Sequence, residues 1–217
     1  MKHATWVSTA FFLVASQAFA GAILSPVAGV INSGGPGSGS LADTYNHNGL
    51  LTNFTSGVTD FDTYMAGNPQ HSAVFSPNEW FSNTGTTTAS VTYDLGAAFT
   101  IDRMALWNEE SSGIGSLNLL YSNDNVNFFS LLNAYTPTDN PAVDYSADNV
   151  ALTSTSWRYI RFDMSGCPQP NPGGFTACAI GEVAFRVADA SGVPEPGTFA
   201  LMGAGLAGLI ALRRRLA

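Results

Sequence analysis

Residues 90–108, SVTYDLGAAFTIDRMALWN, hold two β-rich runs, Ser90–Leu95 and Thr100–Trp107, separated by a short glycine-containing turn. The same texture recurs outward from this pair, in Ser116–Ser122, Phe128–Leu132, Ser156–Met164 and Ile180–Val187. Several of these runs alternate as half-buried strands do: Leu117, Leu119 and Tyr121 share one face, as do Ile160, Phe162 and Met164, and Val183, Phe185 and Val187. Asn123-Asp124-Asn125 lies between the third and fourth runs and reads as a hairpin turn, because these side chains tolerate positive φ and bond their own backbone. There is no internal repeat and no long helical periodicity between the two ends of the chain. Short strands punctuated by turns predict an all-β fold, an antiparallel jelly-roll-type β-sandwich.

The ends read differently. Met1-Lys2 is a charged start, followed by an apolar run from Ala4 to Ala15, polar Ser16-Gln17, and then Ala18-Phe19-Ala20. This is the layout of a secretory signal peptide over residues 1–20, with cleavage expected between Ala20 and Gly21. At the other end, Val193-Pro194-Glu195-Pro196-Gly197 interrupts any preceding element. An uncharged apolar run, Thr198–Leu212, follows and stops at Arg213-Arg214-Arg215. Its length, roughly 22 Å as a helix, is short for about 30 Å of hydrocarbon, but the neighbouring glycine and snorkelling arginines make up part of the difference. The arginines predict a cytoplasmic end. A single C-terminal transmembrane helix and an exported middle are therefore expected.

The segment between the ends carries four arginines, Arg103, Arg158, Arg161 and Arg186, against 15 acidic residues, a formal charge of −11. Such a surface repels nucleic acid and anionic lipid, and a nucleic-acid partner is excluded on that ground. It is compatible with divalent cations and neutral glycans. Cys167 and Cys178 are the chain's two cysteines and lie in a Pro/Gly-rich stretch, which in an exported protein reads as a disulfide closing a loop.

The C-terminal residues resemble the PEP-CTERM sorting tail of Gram-negative bacteria, in which Pro194-Glu195-Pro196, a short apolar helix and the cluster Arg213-Arg214-Arg215 appear in that order. That resemblance implies an exosortase-type processing enzyme as partner. It also implies membrane attachment through the tail before processing, and a destination at the cell envelope, outer surface or extracellular matrix. The expected organisation is a signal peptide at 1–20, an irregular leader at 21–49, a sandwich domain at 50–188, a linker at 189–192 and the sorting tail at 193–217.

A second resemblance covers about residues 50–187. SVTYDLGAAFTIDRMALWN, LNLLYSNDNVNFFSL, SWRYIRFDM and AIGEVAFRV are similar, in order, to the strand motifs of discoidin-like, galactose-binding-like domains, and Glu79-Trp80-Phe81-Ser82 matches their early tryptophan. The loop TSGVTDFDTYMAGNPQHS departs from the family by being longer and lacking Asp-Gly. The resemblance implies a structural Ca²⁺ between Asp60 or Asp62 and Glu182. The alternative leaves both aspartates facing solvent with Phe61 buried. The resemblance also implies a ligand site in loops at one end of the sandwich, with Trp107, Asn108, Glu109 and Arg158 as candidate contacts. Trp80 and Trp107 read more simply as packing residues.

Catalytic signals are sparse. His47 and His71 are far apart, and no nucleophile-elbow, phosphate-loop or zinc-protease motif occurs. Glu109 and Glu110 offer adjacent carboxylates, but on an extended chain they point to opposite faces, and residues 108–115 read as a solvated acidic loop. The expectation is a non-catalytic module binding exopolysaccharide or another surface glycan. A structural matrix or biofilm protein and a glycan-degrading enzyme are the alternatives.

Overall fold

The computed structural model describes residues 20–189 except Ser76 and Pro172. The expected signal peptide up to Phe19, and the sorting tail with its transmembrane helix, lie outside the described residues. Among the described residues no helix is long and apolar enough to cross a membrane.

The strands in chain order are β1 (Ile23–Leu24), β2 (Ala28–Ser33), β3 (Ser38–Gly39), β4 (Gln70–His71), β5 (Trp80–Phe81), β6 (Thr88–Asn108), β7 (Ser116–Ser122), β8 (Phe129–Tyr135), β9 (Tyr145–Ser146), β10 (Asp148–Ser165) and β11 (Ala179–Val187). A 3-10 turn at Leu41–Thr44 and one short helix, α1 (Phe61–Ala66), complete the elements. Every strand pairing is antiparallel. The fold is the expected antiparallel β-sandwich.

Two long strands build it. The first part of β6 pairs with β2 and with the end of β10, which in turn pairs with β7 and through it β8. The last part of β6 pairs with β11 and with the beginning of β10, and β11 carries β5 and β1. Thus β6 and β10 run through both layers. The turn expected between Ser90–Leu95 and Thr100–Trp107 is instead a bulge within one strand. Asp94 pairs with Tyr159 and Phe99 with Trp157, so residues 95–98 bulge out opposite Arg158 alone. Arg158 grips the near side of that bulge through Asp94, with its Nε and Nη2 donating at 2.7 and 2.8 Å.

Between the layers, Tyr93, Leu117, Leu119 and Phe162 meet Met104, Leu106, Trp157, Val183 and Phe185 in the main core. Each fully buried Leu, Met or Phe contributes roughly 1.5–3 kcal/mol. The alternating faces expected for β7 and the end of β10 are present. Strand β11 departs from alternation, since all nine of its residues are buried. A second cluster covers its outer face, where Ile23, Phe61, Tyr64, Trp107 and Tyr145 pack on Ala184.

Residues 21–49, expected as an irregular leader, are integral to the sheet. The Gly21 amide donates to Val187 O at 3.0 Å, the Val187 amide to Ala22 O at 3.0 Å, and β2 extends the first layer. Ala20, on the other side of the expected cleavage point, is exposed. The pattern was faint because β2 has both faces largely solvated and so carries no apolar alternation. The hairpin turn at 123–125 forms as expected, with Asn125 at φ 59° and the Asp124 carboxylate accepting the Val126 and Asn127 amides.

Candidate functional site

Strand register creates the site. Ile180 of β11 is paired with Trp80 on one side and Asn108 on the other. Glu79 immediately precedes Trp80 and Glu109 immediately follows Asn108, so both leave the sheet within one residue of the Ile180 level. Beyond Asn108 the chain folds back: Asn108 Oδ1 accepts the Ile114 amide at 2.8 Å, and its Nδ2 donates to Thr138 O and Gln169 Oε1. This buckling turns Glu109 and Glu110 the same way. Carboxylate oxygens of Glu79, Glu109 and Glu110 all lie within 4.8 Å of one another. Residues 108–115 are therefore not a solvated acidic loop, and the expectation that only one of the two adjacent glutamates faces a site is corrected. That expectation assumed an extended chain, and the chain is not extended here.

The three glutamates are 1%, 1% and 8% exposed, in chain order. Glu109 is held by Ser111 Oγ, which donates to Oε1 at 2.6 Å, and by the Ser112 amide, which donates to Oε2. Glu79 Oε1 accepts the Tyr145 hydroxyl at 2.8 Å. Gly181 lets that hydroxyl through, since a Cβ there would lie 2.1 Å from it. Glu79 Oε2 and Glu110 Oε2 are buried without a partner. Burial, reinforced by the charge of Glu109, pushes the Glu79 carboxyl up to about 9 and the Glu110 carboxyl up to about 8. Burial also drives the His71 imidazole down to about 4. The contact of His71 Nδ1 with Glu79 Oε1 at 3.5 Å therefore joins two neutral groups at neutral pH rather than an ion pair. Nδ1 is the donor to Ser72 O at 2.9 Å, leaving Nε2 packed against Gly49.

The triad lines a cavity of about 390 Å³ whose walls include Phe75, Phe81 and Phe175. Phe81 is buried and meets both neighbours edge-on, at centroid distances of 5.0 Å to Phe75 and 6.4 Å to Phe175. Phe75 and Phe175 are 43% and 61% exposed. Phe175 belongs to the loop closed by the expected disulfide, Cys167–Cys178, which is formed with Cα atoms 5.0 Å apart.

Of the four candidate contacts, the structure brings only Glu109 to this cavity. Trp107 is wholly buried and donates Nε1 to Pro69 O at 3.1 Å. Asn108 spends its side chain on internal bonds, and Arg158 is committed to Asp94. Trp80 is buried core, donating to Pro36 O.

Asp60 caps α1 by accepting the Thr63 amide at 2.8 Å. Asp62 pairs with Arg186 at 3.2 Å. Arg186 is four residues along β11 from Glu182, roughly 13 Å at the backbone. Glu182 is buried and accepts the His47 amide at 3.2 Å. Asp60, Asp62 and Glu182, expected to share a calcium ion, thus have separate protein partners, and Glu182 Oε1 is buried without one. Phe61 is buried between the two aspartates, but in a helix rather than in an extended loop. Glu79, Phe75 and Phe175, which do form a site, carried no recognisable spacing in the sequence; the Glu109-Glu110 pair was the one legible trace.

No curated protein matches the chain. Similar solved structures include chitosan-binding module 1 of a chitosanase/glucanase from Paenibacillus sp. IK-5, at 17% identity and a TM-score of 0.47, covering 75% of this chain and 95% of that one. Another is the CBM32 of AlyQ in complex with 4,5-unsaturated mannuronic acid, at 18% identity and a TM-score of 0.44, covering 75% and 96%. A third is CpGH89CBM32-5 of Clostridium perfringens in complex with GalNAc-β-1,3-galactose, at 18% identity and a TM-score of 0.41, covering 49% and 73%. Likeness of this degree assigns no ligand to this chain. Residues 192–215 match the family model of the PEP-CTERM protein-sorting motif, and the chain thus carries the sorting signal of a secreted, envelope-directed protein.

Proposed function

We propose that this protein is a non-catalytic glycan-binding module of the cell surface or extracellular matrix, released from its membrane tail by an exosortase-type enzyme. The observation that supports binding is the cavity where exposed Phe75 and Phe175 flank a floor of three carboxyl groups. Its volume falls within the roughly 300–1,000 Å³ of small-ligand sites. Aromatic faces take the C–H faces of sugar rings, while carboxyl oxygens accept their hydroxyls. Exopolysaccharide is the ligand class that the destination places within reach.

The test is a glycan array with the wild type and with Phe75→Ala/Phe175→Ala. Binding to at least one polysaccharide, weakened several-fold to about 10-fold per ring removed, is expected. A folded protein that binds nothing on the array would leave a structural matrix role in its place.

Glycoside hydrolysis is the reading that the same triad raises, since retaining enzymes hold two carboxyl groups about 5–5.5 Å apart. Here one oxygen from each of three carboxyl groups lies within 4.8 Å of the others, and Glu109 is fixed by a donor on each of its oxygens. Release of reducing ends from the bound polysaccharide would establish hydrolysis instead.

A further inference from the structure

Three buried carboxyl groups within 4.8 Å need an opposing charge or a proton. The protein supplies no such charge: among the described residues the arginine ion pairs go to Asp94, Asp163, Asp62, Asp102 and Asp189, and none reaches the triad. Two oxygens, Glu79 Oε2 and Glu110 Oε2, are buried, lack any hydrogen-bond partner and belong to residues that line the cavity. Glu109 is already fixed in place by two donors. The nearest nitrogen ligand, His71, touches Glu79 Oε1 through Nδ1 at 3.5 Å, but that nitrogen carries the hydrogen it donates to Ser72 O and Nε2 lies against Gly49, so neither offers a lone pair to the triad. The available donors are all hard oxygens, the set that selects Ca²⁺, Mg²⁺ or Mn²⁺ over zinc or copper. A set of three carboxyl groups beside an open cavity, releasing their protons as the ion binds, suits Ca²⁺ best, because Ca²⁺ tolerates irregular coordination by six to eight oxygens and can fill the rest of its shell from the cavity side.

We propose that Glu79, Glu109 and Glu110 bind a calcium ion at the floor of the cavity, with its open coordination positions presented to glycan oxygens. The bridging role rests on the glycan reading; cation binding stands separately and is measured without glycan. This site shares no residue with Asp60, Asp62 and Glu182.

Calcium is titrated into the metal-free secreted protein by calorimetry at pH 7.5, alongside Glu79→Gln/Glu110→Gln, the single variant Glu110→Gln, and Glu182→Gln. One saturable site is expected, with a Kd of about 10⁻⁴–10⁻³ M, as in extracellular calcium modules. The double variant should weaken it at least about 10-fold, a loss of about 1.4 kcal/mol, while Glu182→Gln leaves it unchanged. Thermal melts confirm that each variant is folded; if the double variant is not, Glu110→Gln alone is read, with several-fold weakening expected. The proposal is overturned if the folded wild type shows no saturable calcium binding up to about 10 mM, an order of magnitude above that range. It is also overturned if the glutamine variants bind as well as the wild type, or if binding is lost in Glu182→Gln instead. Calcium binding without glycan binding defeats only the glycan reading, and the converse defeats only this one.

Discussion

Asn108 Oδ1 accepts the Ile114 amide at 2.8 Å across the fold-back that follows β6, where Glu109 and Glu110 meet Glu79. The side chain is 1% exposed, and its amide nitrogen also donates to Thr138 O at 2.9 Å and Gln169 Oε1 at 2.7 Å. Asn108→Ala would leave one buried donor, one buried acceptor and one part-buried acceptor without it. A loss of about 3 kcal/mol is expected from the desolvation of such groups, read as a lower urea midpoint. Glycan and calcium affinity should fall with it, because the carboxylates lose their common direction. An unchanged midpoint would show that the loop closes by other means.

The Cys167–Cys178 bridge closes a loop spanning 11 positions that carries Phe175. Replacing both cysteines by alanine should cost roughly 2–3 kcal/mol in the chain-entropy account. Because Phe175 is one wall of the cavity, glycan affinity should drop further than the wild type's affinity does over the same range of denaturant. Calorimetric unfolding and binding isotherms on the oxidised and double-alanine proteins separate the two effects.

Glu182 provides the pH dependence that is simplest to read. Burial holds its carboxyl well above the usual value, against the single bond from the His47 amide. The folded chain thus keeps this proton to higher pH than the unfolded chain does. Its contribution to stability is complete below the unfolded value, about 4.3, and is lost as pH rises toward the folded value. Asp60 and Asp94 run the other way: helix capping and the Arg158 pair depress them, so their contribution is lost below the usual aspartate range. Metal-free protein should therefore melt higher near pH 5 than at pH 8. Glu182→Gln should reduce that slope on the alkaline side, leaving the share of Glu79 and Glu110, and leave acid unfolding as it was.

Gly49 lies against the His71 ring, and a Cβ there would come within 1.9 Å of Nε2. The ring cannot yield easily, since it is wholly buried, bonded to Ser72 O and packed 5.1 Å from the Tyr145 ring. Gly49→Ala should cost about 1–3 kcal/mol, the usual range for overpacking. Because Tyr145 in turn holds Glu79, the calcium affinity of the surviving folded protein should also fall. Thermal melts with and without calcium measure both.

What could be read from the chain is what depends on neighbours in sequence. Strand β7 begins and ends where the alternation of Leu117, Leu119 and Tyr121 places it, and Asn125 takes the positive φ its turn requires. The cysteines, eleven positions apart in a Pro/Gly-rich loop, had one partner each. The sorting motif is contiguous, so all of it is legible in the order of the residues. Strand β2 was harder to see because an exposed strand leaves no hydrophobic alternation, and α1 because its six residues are too few to show a helical period.

The cavity belongs to a different order of information. Glu79 and Glu109 are 30 positions apart and meet because β11 pairs with both β5 and β6 at Ile180, a matter of register. Glu110 joins them because a buried asparagine bends the chain, against the opposite-face rule for extended residues. Local propensities therefore determined the strands, the turn, the bridge and the address. Long-range antiparallel pairing, whose register no local pattern encodes, decided which carboxylates share one buried floor, and gave Asp62 a partner, Arg186, four residues along β11 from Glu182.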